Sequence, residues 1–374
     1  VRSRLLTSAL CAIAVALASA SPASARDAFY GVFTRDMSHP AAQLGAELDA
    51  QAATGVGTLR EHLHWDRIER APGVFDFTDS DALVAAAGAR GMTLLPVLID
   101  TPQFHSTRPA GVTTSGWPPR DPTTMRRFAY ELARRYGTNG TYWGCALAPG
   151  FLCRRPYHPV TAWEVWNEPD ILAWWRTGVN AGAYTALLQQ GYEGLKTGDS
   201  AAEVVLAGLT FRAVAPGAYL DQLYARGAAS YFDTVAIHPY AVNVGGVIDV
   251  IRRTRAISDA RGDARVPIRV TEYGFATGGV REWVTTPACH AALVAAATRE
   301  LFARRIELGL RAITEFQWLD SSNDASATWP NFAGLLYLDG RAKPALAAFT
   351  DAIAGRSPPA NQTVAAVCAS QYQG

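Results

Sequence analysis

The sequence predicts an α/β chain closed into a (β/α)8 TIM barrel, in a single domain. Three observations carry the prediction. Short apolar runs rich in Val, Ile, Leu and aromatic residues alternate with longer runs at helical spacing, and the alternation is repeated about the number of times a closed barrel needs. Alternating β and α elements imply a parallel sheet covered by helices. No Gly-rich phosphate turn follows the first apolar run, so an open, doubly wound sheet lacks support.

The N-terminal stretch, 1–25, reads as a signal peptide. Arg2 and Arg4 precede an Ala-rich apolar run, 5–20, that is short for a membrane span, and Ala23-Ser24-Ala25 matches a signal-peptidase site. The barrel is expected over 26–355, with 356–374 as a C-terminal extension packing on it.

Residues 28–34 read as the first strand and 40–53 as a helix with Leu44 and Leu48 on one face. The second strand, 56–63, ends near Arg60, His62 and His64. A helix over 82–90 follows Asp79-Ser80-Asp81, suited to an N-cap, and stops at Gly91. The third strand, 92–99, is apolar throughout, as burial on both faces requires. A loop rich in Pro and Gly, 100–122, leads to a helix over 123–136; loops of such length are usually functional. The fourth strand, 160–166, cannot continue past Pro169, which lacks an N–H. Strands over 203–209, 234–237, 267–271 and 312–318 then alternate with helices over 181–196, 218–226, 247–259 and 290–308. Pro344 suits the first position of a last helix to about residue 353.

Apolar residues make up 49% and charged residues 18%, a globular balance. Without Arg2 and Arg4 the formal charge of +1 turns slightly negative, which gives no support for nucleic-acid or anionic-membrane binding. Beyond Cys11, four cysteines remain: Cys145, Cys153, Cys289 and Cys368. An even count in an exported chain suggests two disulfides. Of the three connectivities, the preferred one staples a loop through Cys145–Cys153 and ties down the tail through Cys289–Cys368. A secreted, extracellular or periplasmic monomer is expected.

In such barrels the active site lies at the C-terminal ends of the strands. Those ends carry Arg60, His62 and His64 on strand two, and Asn167 and Glu168 on strand four. His238 and Tyr240 follow strand six, Glu272 and Tyr273 strand seven, and Trp318 strand eight. Two glutamates thus face each other across one mouth. Glycoside hydrolysis needs such a pair: one carboxyl protonated to help the leaving oxygen depart, the other ionised to attack carbon or activate water.

Asn167-Glu168-Pro169, with Glu272 at the end of strand seven, resembles the clan A retaining glycosidases. Within them Trp163 to Asp170 (WEVWNEPD) is most similar to the family 39-type enzymes and their secreted bacterial relatives. Arg60 with Trp65, Pro72-Gly73 and Phe75-Asp76-Phe77 resembles their second barrel unit, and Gly334-Leu335-Leu336 with Lys343-Pro344-Ala345 their C-terminal run. The resemblance implies Glu168 as general acid/base and Glu272 as nucleophile. It implies Asn167 on the sugar 2-hydroxyl, Tyr240 hydrogen-bonded to Glu272, and Arg60 beside Glu272 lowering its pKa. Trp318 would floor the subsite of the cleaved sugar, and His238 would line it. The implied substrate is a β-linked glycoside, oligosaccharide or polysaccharide.

Two other readings compete. One is a carbohydrate-binding barrel that has lost its chemistry, against which both glutamates argue. The other is a metal-dependent hydrolase. His62 and His64 share one face of their strand with Glu61 on the other, but no third ligand is evident and no C-x-x-C pair occurs, so no metal or other cofactor is expected. Glu69, His105 and Asp170 lie near the same rim and are further candidates for substrate contact.

Overall fold

The computed structural model describes residues 27–34, 41–211, 217–280 and 284–368. The expected signal peptide lies outside them. Eight strands build the barrel: β1 (Tyr30–Phe33), β2 (Thr58–His64), β3 (Thr93–Ile99), β4 (Ala162–Val165), β5 (Glu203–Leu206), β6 (Val235–Ile237), β7 (Ile268–Tyr273) and β8 (Leu310–Glu315). Every pairing among them is parallel, running from β6 through β7, β8, β1, β2, β3 and β4 to β5. Two parallel bridges, Val205 to Thr234 and Leu209 to Ile237, close the remaining seam between β5 and β6.

Both faces of the sheet are covered. In β3 every residue from Leu94 to Ile99 is buried, which is why that strand shows no polar alternation. Leu95, Ala162, Val205 and Ala236 form a small apolar layer. The next inward positions on β4 and β6, two residues on, are Glu164 and His238, so the barrel turns polar one pleat above that layer.

The outer layer comprises α1 (Ala41–Ala53), α2 (Thr78–Gly88), α3 (Thr123–Tyr136), α4 (Ala181–Gly198), α5 (Ala218–Ala225), α6 (Val244–Ala260), α7 (Pro287–Ala303) and α8 (Pro344–Ile353). Asn180, Asn243 and Thr286 cap α4, α6 and α7, each side chain accepting the N–H three residues on. Asp79 and Asp81 fall in the first turn of α2 rather than before it, because that helix starts at Thr78.

Two disulfides are present. Cys145–Cys153 crosses a small antiparallel hairpin, Cys145–Ala148 with Phe151–Cys153. Cys289 at the start of α7 bonds Cys368, which follows a short helix, Val364–Val367, packed on the core. Among the described residues no helix is long and apolar enough to cross a membrane.

Candidate active site

The site grows from the end of β4. Trp166 and Glu168 both take left-handed backbone angles, φ 77° and φ 41°, on either side of Asn167. Such angles are costly for side chains with a Cβ and persist only where the surroundings impose them. Trp166 is held by Leu98 O on its N–H and by Trp174 O on its indole N–H. Glu168 is held by Gly208 O. The turn thus leaves Asn167 and Glu168 adjacent at the mouth.

Beneath them lies a buried ion network. Arg60 on β2 is fully buried. It donates through Nε and Nη2 to Glu164 (2.7 and 3.0 Å), through Nη1 to Glu272 (2.5 Å), and through Nη2 to Asn167 Oδ1 (2.8 Å). Glu164 also accepts Gly208 N–H at 2.9 Å. A charge buried this deeply survives only with partners on every side, and Arg60 has two carboxylates and an amide. With Oδ1 occupied by the guanidinium, the Asn167 amide offers its Nδ2 donor to a ligand.

Glu272 accepts a second hydrogen bond, from Tyr240 Oη at 2.5 Å. Burial pushes its carboxyl above the ordinary range; His238 and Arg60 pull it back, Glu168 adds to the rise, and Tyr240 opposes it. Arg60 therefore acts in the expected direction, but burial outweighs it. His238 Nδ1 lies 2.7 Å from Glu168 Oε1 and 3.5 Å from Glu272 Oε2, while Nε2 meets Thr271 Oγ1 at 3.1 Å. Burial lowers the His238 pKa, so the ring is neutral at pH 7. A Cβ at Gly208 would stand 2.0 Å from His238 Nε2, so only glycine leaves room for this ring. An oxygen of Glu168 lies within 4.8 Å of one of Glu272.

A cavity of about 300 Å³ opens above the carboxylates. Asn167, Glu168, Glu272, Thr210 and His62 supply its polar groups. Phe33, Trp174, Tyr240, Phe316 and Trp329 wall it. The walls brace one another: Phe33 stacks on Phe316 at 5.3 Å and Tyr240 meets Trp329 edge-on at 4.8 Å.

Two sequence-derived placements change. Trp318 is 3% exposed in the main core and does not line this cavity. Strand β8 ends at Glu315, so the alternation that would carry the inward face on to Trp318 has stopped, and Phe316 takes the wall. The Trp318 backbone instead pairs with Phe33 O and Leu336 N–H. His238 is also absent from the lining; it is fully buried behind the carboxylates it touches. Of the rim candidates, Glu69 accepts Trp65 Nε1 and Gly73 N–H and meets His105, outside the cavity. Asp170 lies behind Thr210, taking its N–H and its hydroxyl at 2.9 Å each.

Glu164, Phe33, Trp174 and Phe316 were not singled out from the sequence. Only Glu164 carried a signal: a carboxylate between Trp163 and Val165, on a strand buried on both faces, needs a cation. For a metal, Glu168, His238 and Glu272 are the one cluster of suitable atoms found among the described residues. Hydrogen bonds to His238, Arg60 and Tyr240 already engage those carboxylates. His62 faces the cavity while His64 pairs with Asp100 at 2.8 Å.

No protein-family profile matches the sequence, and no curated protein does. Solved structures do. A family 39 glycoside hydrolase from Bacteroides cellulosilyticus WH2 superposes with TM-score 0.64 at 18% identity, over 88% of this chain and 64% of that one. The chain has the (β/α)8 barrel fold of that enzyme. A family 39 enzyme from Xanthomonas axonopodis pv. citri gives TM-score 0.62 at 17% identity, over 90% of this chain and 68% of the other. A monomeric beta-xylosidase from Caulobacter crescentus CB15 gives 0.58 at 19% identity, over 88% and 69%. The chain thus spans about two-thirds of the length of these neighbours, and at these identities the likeness establishes the barrel architecture alone.

Proposed function

We propose that the chain is a secreted retaining glycoside hydrolase acting on a β-linked glycoside or oligosaccharide. The observation that supports it most is the carboxyl pair: oxygens of Glu168 and Glu272 within 4.8 Å across an aromatic-walled cavity. Retaining enzymes hold their carboxyl groups about 5–5.5 Å apart and inverting ones about 6.5–9.5 Å, to admit a water. The short spacing favours retention. The fold neighbours act on sugars, and two disulfides suit an oxidising compartment.

In this mechanism Glu272 attacks the anomeric carbon while Glu168 protonates the departing oxygen. The C–O bond breaks, a glycosyl ester forms on Glu272, and the leaving group departs as an alcohol. Glu168, now ionised, takes a proton from water, whose oxygen attacks the same carbon and frees Glu272. Arg60 and Tyr240 hold Glu272 in place and favour its ionised form. Neutral His238 orients Glu168, and Asn167 donates to the 2-hydroxyl. The cavity is at the small end for ligand pockets, which suits one sugar ring and cleavage at a chain end.

Replacing Glu272 by Ala should lower turnover of aryl β-glycosides by about 10⁴-fold or more. Azide should restore part of it and yield the glycosyl azide of inverted configuration. The wild-type chain should release the β-anomer first, followed by proton NMR. Ordinary activity in Glu272→Ala, or an α-anomer as first product, rejects the assignment. Wild-type protein that binds the sugars but frees no reducing ends would be a carbohydrate-binding barrel instead.

A further inference from the structure

The turn that carries Glu168 is clasped to the segment after β5 at two points. At one, Glu168 N–H donates to Gly208 O at 3.1 Å. At the other, Asp170 Oδ2 takes Thr210 N–H (2.9 Å), Thr210 Oγ1 (2.9 Å) and Phe211 N–H (3.2 Å). Each segment contains a left-handed residue, Glu168 at φ 41° and Phe211 at φ 57°, and such angles persist only where neighbours hold them. Ile171 N–H returns to Glu168 O, so Glu168 and Asp170 share one tight turn. Glu168 and Thr210 face the catalytic cavity, and Asp170 stands behind them, 2% exposed.

An amide oxygen would hold the clasp as well, so a carboxylate here brings one thing more, a charge. Asp170 Oδ1 is buried and has no partner among the described residues, and Oδ2 meets only uncharged donors there. Around the group stand Glu168 in the same turn, Tyr184 on α4, Tyr219 on α5 and His238 just past β6. Burial holds both phenols and the imidazole in their neutral forms at pH 7, which leaves Glu168 as the neighbour that responds to the charge. Like charges this close do not both form readily, so one of the two carboxyls keeps its proton. The three donors favour the charge on Asp170. Glu168 instead meets Nδ1 of the neutral His238 ring, and Glu272, with an oxygen within 4.8 Å, adds a second like charge against its ionisation. Arg60, the cation of the site, is engaged by Glu164, Glu272 and Asn167.

We propose that Asp170 is a positioning residue for the general acid: fixed by the clasp against the turn of Glu168, its carboxylate keeps the proton on Glu168 until the leaving oxygen takes it. Asp170 touches no substrate and acts only through Glu168. Burial and Glu168 push its own carboxyl up to about 6, so the charge is in place at neutral pH. This role rests on the glycosidase reading above, and the two are tested separately.

The test uses the full chain carrying Asp170→Asn, whose amide oxygen can take the same three donors, so that the clasp stays and the charge goes. Glu168 acts protonated in the first step, so activity is present at low pH and is lost as the pH rises through its titration. Without the neighbouring charge Glu168 should ionise sooner. The basic limb of kcat/KM for a phenyl β-glycoside should therefore move about one pH unit lower, a loss of about tenfold on the alkaline side. A 2,4-dinitrophenyl β-glycoside, whose leaving group departs without a proton, should lose much less. A basic limb that stays in place, or an equal loss with both leaving groups, overturns the role. Carbon-13 NMR of the side-chain carboxyls reads the same proton without any turnover. At pH 7 the wild-type chain should show Asp170 ionised and Glu168 protonated, and the Glu168 midpoint should fall in Asp170→Asn. The reverse assignment, or an unmoved midpoint, overturns the proposal. A wild-type chain that cleaves neither glycoside counts against the hydrolase reading instead, and the NMR titration still decides the role of Asp170.

Discussion

At the scale of single residues, Tyr240 gives the sharpest test. Its hydroxyl donates to Glu272 Oε2, a bond that favours the carboxylate and opposes the effect of burial. A nucleophile works ionised, so activity is present above its pKa and is lost as the pH falls through it. Burial has already raised that pKa, and removing Tyr240 Oη should raise it further. Tyr240→Phe should therefore move the acid limb of the kcat/KM profile to higher pH. On the acid side it should cost about tenfold in kcat/KM, the scale of one hydrogen bond to a charged group. An unmoved acid limb would show that Tyr240 serves only as a wall of the cavity. Asp170 belongs to the same scale. Burial, and then Glu168, push it up to about 6, so it gains charge across the pH range in which the pair is expected to work.

At the scale of elements, the repeated strand–helix rhythm was legible because each strand is a short apolar run between helical runs. The glutamates were legible because each follows such a run. The end of β8 was not. Trp318 looks like the aromatic that closes the strand, yet Phe316 faces the cavity, because what a residue faces beyond Glu315 depends on the loop that covers it. Glu164 was missed for a different reason. Its partner Arg60 lies 104 residues away, and only closure of the barrel brings them together. The disulfides also act at this scale, through the segments they tie. Cys289–Cys368 closes a loop of 79 residues and Cys145–Cys153 one of 8. By chain entropy the long loop should contribute roughly 4 kcal/mol and the short one below about 3. Urea unfolding of the two double Cys→Ser variants should show that order. A larger loss from the hairpin pair would mean that the Cys145–Cys153 segment is more than a local staple.

At the scale of the whole molecule, Arg60 is the point where barrel closure and chemistry meet. From β2 it reaches Glu164 on β4, Glu272 on β7 and Asn167 beyond β4, so one guanidinium spans the interior. Removing it should be costly twice over. Arg60→Met leaves two carboxylates without their cation inside the barrel and should destabilise the chain by about 3–5 kcal/mol. It should also lower kcat, since Glu272 loses its ionised state and its position together. The contributions separate in the double variant Arg60→Met with Glu164→Leu, which also removes the carboxylate that Arg60 neutralises, together with its hydrogen bond from Gly208 N–H. Stability by urea unfolding should recover in part, because an apolar pair can replace a buried ion pair. Activity should stay low, because Glu272 and Asn167 still lack the donor that set them. Recovery of both together would mean that Arg60 is needed only to neutralise Glu164. Recovery of neither would place the loss in packing, and the network would then be a consequence of the fold rather than the tie that aligns its two catalytic strands.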